Sequence, residues 1–369
     1  MKQNKLLALE SLRGIAAISV AIHHFEIGSH LNTDFTKNAW LMVDFFFVLS
    51  GFVIALNYQD RIKTFDNLKV FQFKRFLRLY PLHLIMLFIF LGIECMKYLV
   101  QIELNLVANN PAFEKSDLSA FIANIFLVHN WTMGGLSFNG PSWSISAEFY
   151  TYLIFASLLL LPRLFSYQFI FLSIALVVSS AVIIYFHQFS VGNLIGPSRC
   201  IFSFFLGVLA YNIHGSCGKH INFKSSLPAT LGMILSIFLV TMLGKDITDT
   251  RILFIPVLFS ITILLIIWTS KKSLLQMFLS TNMMVYLGTI SYGIYMIHAM
   301  VWWIWNQLLR FVFKTPTHNS SDGSIIPYIE NSYLSDLIMI SGLLLIIFLS
   351  HLSYRFIETR FNQIRTNLN

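Results

Sequence analysis

Residues 40–58 read Trp40-Leu-Met-Val-Asp44-Phe-Phe-Phe-Val-Leu-Ser50-Gly-Phe-Val-Ile-Ala-Leu-Asn-Tyr58. A helix over this stretch, rising about 1.5 Å per residue, measures about 28 Å, close to the ~30 Å hydrocarbon core of a bilayer. Its one acidic or basic side chain is Asp44. Working outward, similar apolar stretches lie at 9–27, 79–100, 141–162, 168–187, 197–213, 227–243, 251–269, 286–311 and 335–357. Composition agrees: of 369 residues 56% are hydrophobic and 11% charged, and mean hydropathy is +0.69. A soluble globule carries about 25% charged residues, so this chain cannot cover a water-facing surface. The reading is an all-α integral membrane protein with about ten transmembrane helices. Residues 1–369 read as a single transmembrane domain, with no internal repeat and no appended soluble domain.

The formal charge is +8, from 25 Lys and Arg against 17 Asp and Glu. Basic residues this scattered form no phosphate-tracking stripe, so nucleic acid is not an expected partner. Ten spans put both termini on one side. Of the Lys and Arg, 17 adjoin that side and seven the other, with Arg199 near the start of the sixth span. The asymmetry assigns both termini to the cytoplasm. Glu10 and Arg13 at the start of the first span argue against a cleaved signal peptide. Cys95, Cys200 and Cys217 are odd in number and lack ligand spacing, so no disulfide framework or metal site is expected.

Ionisable groups at membrane depth are costly and usually face a cavity or a partner. Arg13 and His24 are eleven residues apart, which returns them to within about 20° of one helix face and separates them by roughly 16 Å. His23 points about 100° away. Asp44 enters from the outer side at a depth similar to His24, and an Asp beside a His orients its ring and stabilises the imidazolium; the plainer alternative pairs Asp44 with an arginine or a helix end. Lys74-Arg75-Phe-Leu-Arg78 opens the third helix, and guanidiniums at i and i+3 suit phosphate groups or, alternatively, anionic lipid. Glu148 follows Ser144 and Ser146 into the fourth span, where it shapes an acceptor site, balances a cation such as Arg199, or acts as a second acid or base. Tyr292, Tyr295 and His298 form a polar stripe, with His298 read as an interhelical hydrogen-bonding residue.

With these residues in place, the chain resembles the membrane-bound acyltransferase-3 family. The resemblance rests on Leu9-Glu-Ser-Leu-Arg13-Gly-Ile-Ala-Ala17 leading to His24, Val43-Asp44-Phe-Phe-Phe-Val-Leu-Ser-Gly-Phe52, Arg75-Phe-Leu-Arg78-Leu-Tyr-Pro81, Pro141-Ser-Trp-Ser144-Ile-Ser146-Ala-Glu148, Ser291-Tyr-Gly-Ile-Tyr295-Met-Ile-His298 and the closing Arg355-Phe-Ile-Glu358. These occur in the family's order across nearly the whole chain. The usual closing Glu-x-Pro reads Glu358-Thr-Arg360 here.

The resemblance implies transfer of an acyl group, commonly acetyl, from cytoplasmic acyl-CoA to a hydroxyl of an extracytoplasmic glycan. It makes His24 the catalytic histidine, Asp44 its partner, and Arg13, Arg75 and Arg78 the CoA-side basic residues, with Lys74 beside them. A pantetheine arm reaching past Arg13 brings the thioester to His24, which accepts the hydroxyl proton as the oxygen attacks. An acyl-histidine route is the rival. Ser144, Ser146 and Tyr150 are candidate oxyanion donors. The expected setting is a bacterial inner membrane, with membrane lipids and a lipid-linked or surface glycan, lipopolysaccharide O-antigen first, as partners. The alternatives are acetylation or succinylation of a small secreted metabolite, and a polytopic glycan transporter without acyl transfer.

Overall fold

The computed structural model describes residues 3–104, 111–132, 136–161, 165–186, 188–192, 194–218, 221–319 and 325–366. Lys2, Arg163, Lys219 and His220 lie outside them. The principal helices are α1 (Gln3–His23), α2 (Met42–Tyr58), α3 (Phe65–Leu104), α4 (Leu118–Ile125), α5 (Trp143–Leu159), α6 (Phe165–Tyr185) and α7 (Ile195–Cys217). They continue with α8 (Leu227–Leu243), α9 (Phe254–Trp268), α10 (Asn282–Thr289), α11 (Ser291–Gln307), α12 (Ser332–Ser353) and α13 (Thr359–Thr366). A helix therefore runs through each of the ten apolar stretches, though the first ends at His23 rather than 27. Among the described residues five helical runs are long and apolar enough to cross a membrane: Ala39–Tyr58, Phe65–Glu103, Ile195–Cys217, Thr250–Trp268 and Ser332–Arg365. A sixth results if α10 and the run Ser291–Val312, bent by 64° at their junction, form one span. The molecule is an all-α membrane protein, with one short hairpin, Thr317–Asn319 against Ile325–Pro327, in a stretch expected to be loop.

The third helix departs from expectation by starting at Phe65 rather than near 79. Its polar opening hides a helical face: Leu68, Phe71, Leu79, Leu82, Met86 and Ile93 are all buried at helical spacing. Lys74, Arg75 and Arg78 thus sit within a helix, carried into the protein rather than left at its end.

Two glycine contacts fix the helices that hold the site. A Cβ on Gly51 of α2 would overlap the Phe204 carbonyl of α7, and one on Gly207 would overlap the Val48 carbonyl of α2. The backbones of α2 and α7 touch, as small residues allow in membrane helix packing. Likewise Gly288 of α10 lies against the Glu10 carbonyl of α1, where a Cβ would also overlap. Buried apolar side chains of α1, α2, α3, α5 and α11 fill one contiguous core, Ala17, Phe47, Leu82, Phe155 and Ile297 among them. Of the cysteines, Cys200 is buried while Cys95 and Cys217 are exposed.

Candidate functional site

The C-terminal end of α1 carries His24, the residue after the helix's last. Its Nδ1 lies 2.9 Å from the Val20 carbonyl, one turn back. A carbonyl only accepts, so Nδ1 carries the proton and Nε2 keeps a lone pair. His24 as a residue is exposed, and Nε2 is the ring nitrogen that the Val20 carbonyl leaves without a proton. Trp302 stacks on Phe25 with ring centres 4.3 Å apart, and its Nε1 donates to the Ala21 carbonyl at 2.7 Å. Together they fix the chain where α1 ends.

His298 of α11 is fully buried, with its ring centre 4.9 Å from that of His24. Its Nδ1 lies 3.2 Å from the Ile294 carbonyl, and its Nε2 is buried without a partner. The two imidazoles thus share a tautomer, each set by a backbone carbonyl four residues earlier. His23 turns away, as its position on the helix predicts, with Nδ1 2.8 Å from the Lys37 carbonyl.

The dyad expected from Asp44 and His24 is not formed. Asp44 Oδ2 accepts from Arg199 Nη2 at 2.6 Å, and Oδ1 accepts from the Ser203 hydroxyl at 3.1 Å. Both charged residues are completely buried. The Arg199 guanidinium lies 5.0, 5.2 and 4.4 Å from the ring centres of Trp40, Trp143 and Phe189, and its Nη1 donates to the Ser190 carbonyl at 3.0 Å. A buried carboxylate needs a full counter-charge, which a neutral imidazole does not supply and Arg199 does. Asp44 therefore ties α2 to α7.

From the opposite direction a cavity of about 800 Å³, counting its open end, runs between α1, α2, α3, α5 and α11. Arg13, Arg75 and Arg78 line one part of it, Val53, Ile54, Phe46, Phe47 and Leu79 its walls, and Ser144, Ser291 and Tyr295 another part. Tyr295 and His298 have ring centres 5.8 Å apart. The cavity thus comes within two rings, Tyr295 and His298, of His24. The three arginines, with Val53 and Ile54, also line a wider polar mouth of about 1020 Å³, to which Arg61, Lys74, Asn362 and Arg365 contribute.

The arginine pair is not one uniform fork. Arg78 Nη1 is 2.9 Å from the buried carboxylate of Glu358 and packs over Tyr292. Arg75 donates to the Tyr58 hydroxyl at 3.1 Å and lies against the Tyr58, Phe71 and Tyr152 rings, with its Nε buried and unpartnered. Arg13 has Glu10 at 3.8 Å. Lys74 is largely buried at the mouth.

The polar residues of α5 divide. Glu148 does not balance Arg199; it lines the cavity, accepting from the Ser50 hydroxyl at 2.5 Å and from the Tyr152 hydroxyl. Ser144 donates to the Tyr295 hydroxyl at 2.8 Å, and Tyr295 donates to the Pro141 carbonyl at 2.8 Å. Ser146 donates to the Leu127 carbonyl at 2.5 Å and Tyr150 to the Phe126 carbonyl at 2.9 Å. Those two hydroxyls hold the segment before α5. Sequence reasoning placed Arg13, Lys74, Arg75 and Arg78 at one cavity system. It missed His298 as the neighbour of His24, and Arg61, Asn362 and Arg365 at the mouth. Lys and Arg flanking apolar spans read only as anchors until the helices are packed.

An acyltransferase domain model matches residues 6–355. Acyltransferase MdmB of Streptomyces mycarofaciens is 30% identical over 41% of this chain and 38% of its own length. Peptidoglycan O-acetyltransferase OatA of Listeria monocytogenes is 30% identical over 42% of this chain and 24% of its own length. A Staphylococcus aureus (strain COL) protein provisionally named an O-acetyltransferase is 24% identical over 98% of this chain and 58% of its own length. The matches to these three relatives thus cover well under two thirds of each one's length. No solved structure matches. With the family's domain matched over residues 6–355, and the motifs of the His24 end and the arginine-lined cavity all inside that match, the chain belongs to the acyltransferase-3 family.

Proposed function

We propose that this protein is a membrane O-acetyltransferase that moves an acetyl group from cytoplasmic acetyl-CoA to a hydroxyl of an extracytoplasmic glycan. The acceptor is lipopolysaccharide O-antigen or another bacterial surface polysaccharide, at the inner membrane, with ten spans and both termini in the cytoplasm. The glycan class draws support from the Listeria relative's name, which specifies O-acetylation of peptidoglycan. The observation that carries the reading is the alignment of a basic mouth, an apolar cavity and an accessible imidazole with a fixed tautomer.

The nucleotide phosphates sit among Arg13, Lys74, Arg75 and Arg78, and the pantetheine arm follows the wall of Val53, Phe46 and Phe47. His24 Nε2 takes the proton of the acceptor hydroxyl as its oxygen bonds to the thioester carbonyl carbon. Collapse breaks the carbon–sulfur bond, and the imidazolium returns the proton to the departing thiolate. His298 is a positioning residue, packing the His24 ring. The Val20 carbonyl does the orienting expected of Asp44, which serves as the α2–α7 anchor.

The test is mass spectrometry of surface glycan from cells lacking the gene, complemented with wild type or His24→Ala at matched membrane levels. Addition of about 42 mass units per acetyl group by wild type, and none by His24→Ala, supports the reading, since loss of a general base costs 100-fold or more. Identical glycans in all three strains overturn the acceptor, and full acetylation by His24→Ala overturns the base.

A further inference from the structure

The mouth holds more positive charge than the arginine pair requires. Arg13, Arg61, Lys74, Arg75, Arg78 and Arg365 line it, and Glu10 is the carboxylate on its wall. Arg78 is already matched by Glu358. Arg75 and Arg365 have no carboxylate partner among the described residues, and Arg75 keeps a buried Nε without an acceptor. Arg365 is half-buried and feels the charges of both Arg75 and Arg78. Like charges gathered around one concavity are unfavourable without an anion to share, so the arrangement is complementary to a polyanion.

Arg365 reaches the mouth because the helix does not stop. Position 360 is Arg, so after the π-turn Tyr354–Glu358 the chain continues as α13, packed against α3. A proline at 360 would lack the N–H that continues the helix and disfavour helical backbone at 359. α13 thus delivers Asn362 and Arg365 to the wall facing Arg75.

We propose that Arg365, with Arg61 and Arg75, recognises the adenosine bisphosphate end of the acyl-CoA donor, making α13 the element that selects coenzyme A over a bare phosphopantetheine thioester. This rests on the donor reading above. The narrower cavity, walled by apolar side chains, accepts the pantetheine arm, which both donors share. The wide mouth is where they differ, since only coenzyme A fills it with an adenosine and two further phosphates. Guanidinium–phosphate hydrogen bonds there are charge-assisted and partly shielded from water.

The experiment uses the purified full-length protein in nanodiscs, with adenosine 3′,5′-bisphosphate and 4′-phosphopantetheine titrated separately by calorimetry. Arg365→Gln is expected to weaken bisphosphate binding about tenfold or more, the size of one lost charge-assisted hydrogen bond. Phosphopantetheine binding should change less than twofold, and Arg365→Lys should recover part of the bisphosphate affinity. Unchanged melting of Arg365→Gln excludes misfolding. If Arg365→Gln binds bisphosphate like wild type while Arg75→Gln loses it, the donor reading stands and the role of Arg365 is overturned. Equal weakening of both probes overturns the selectivity. If wild type binds neither probe, the donor reading itself fails and takes this inference with it.

Discussion

The Asp44–Arg199 pair offers the sharpest test of how the site is built. Both side chains are fully buried, joined at 2.6 Å, and the guanidinium is enclosed by three aromatic rings. Charge centres about 4 Å apart attract by about 4 kcal/mol at an effective dielectric near 20. Removing one partner strands the other charge in that pocket, so Asp44→Asn or Arg199→Gln alone should cost about 3–5 kcal/mol. The double variant strands no charge and should regain at least about half of the loss. Melting of the four proteins in one detergent measures the cycle, and glycan mass spectrometry reads transfer by the same set. The double variant is expected to acetylate, because His24 takes its orientation from the Val20 carbonyl. A coupling below about 1 kcal/mol would refute the anchor. A double variant that melts like wild type but transfers nothing would return Asp44 to the reaction.

Further predictions concern packing and the histidines. Gly207→Ala should destabilise by about 1–3 kcal/mol or more by forcing α2 from α7, whereas Gly215→Ala, with nothing within 4 Å of the new methyl, should stabilise by up to about 1 kcal/mol; detergent melting separates them. Trp302→Phe removes the bond to the Ala21 carbonyl and leaves that acceptor unsatisfied. The cost should be about 1–3 kcal/mol, with slower transfer at equal protein level. His298→Gln should lower kcat with little change in donor KM, while Arg75→Gln should raise donor KM; steady-state kinetics on purified protein distinguishes the two. In the loop before α4, Asp117 accepts from the Ala120 amide and the Ser119 hydroxyl, which holds its carboxyl below the ordinary value. This cap is complete above about pH 4 and is lost as pH falls through the lowered native value, so Asp117→Asn should flatten acid melting curves.

Position along a helix was legible in the sequence, and which neighbouring helix a side chain meets was not. Hydropathy located the long apolar helices but not Leu118–Ile125 or Thr359–Thr366, and the Arg13–His24 spacing put a cation half-way along α1 and an imidazole just past its last residue. Whether Asp44 faces α1 or α7 depends on a partner 155 residues away, and no local pattern encodes it. The same gap concealed His298, whose stripe with Tyr292 and Tyr295 was visible while its neighbour on α1 was not. Lys74, Arg75 and Arg78 read as opening α3, and the helix before them, from Phe65, was missed because local polarity conceals the face that Leu68 and Phe71 bury. Arg360 in place of the usual proline was a readable signal for a longer final helix, but only the fold joins that helix to the mouth.

The Tyr295 ring on the cavity wall and the His298 ring beside it lead from the cavity to His24. On the proposed orientation that layer is also the seal of the membrane at this point: a cytoplasmic vestibule lies on one face of it and the outside on the other. On the proposed reaction an acetyl group must pass where protons and sodium are to be refused. Trimming Tyr295 and His298 together to alanine would then leave a pore as well as a dead catalyst, and cells carrying it would lose part of their transmembrane potential. Tight packing at the reaction centre thereby protects the energy supply of the whole cell.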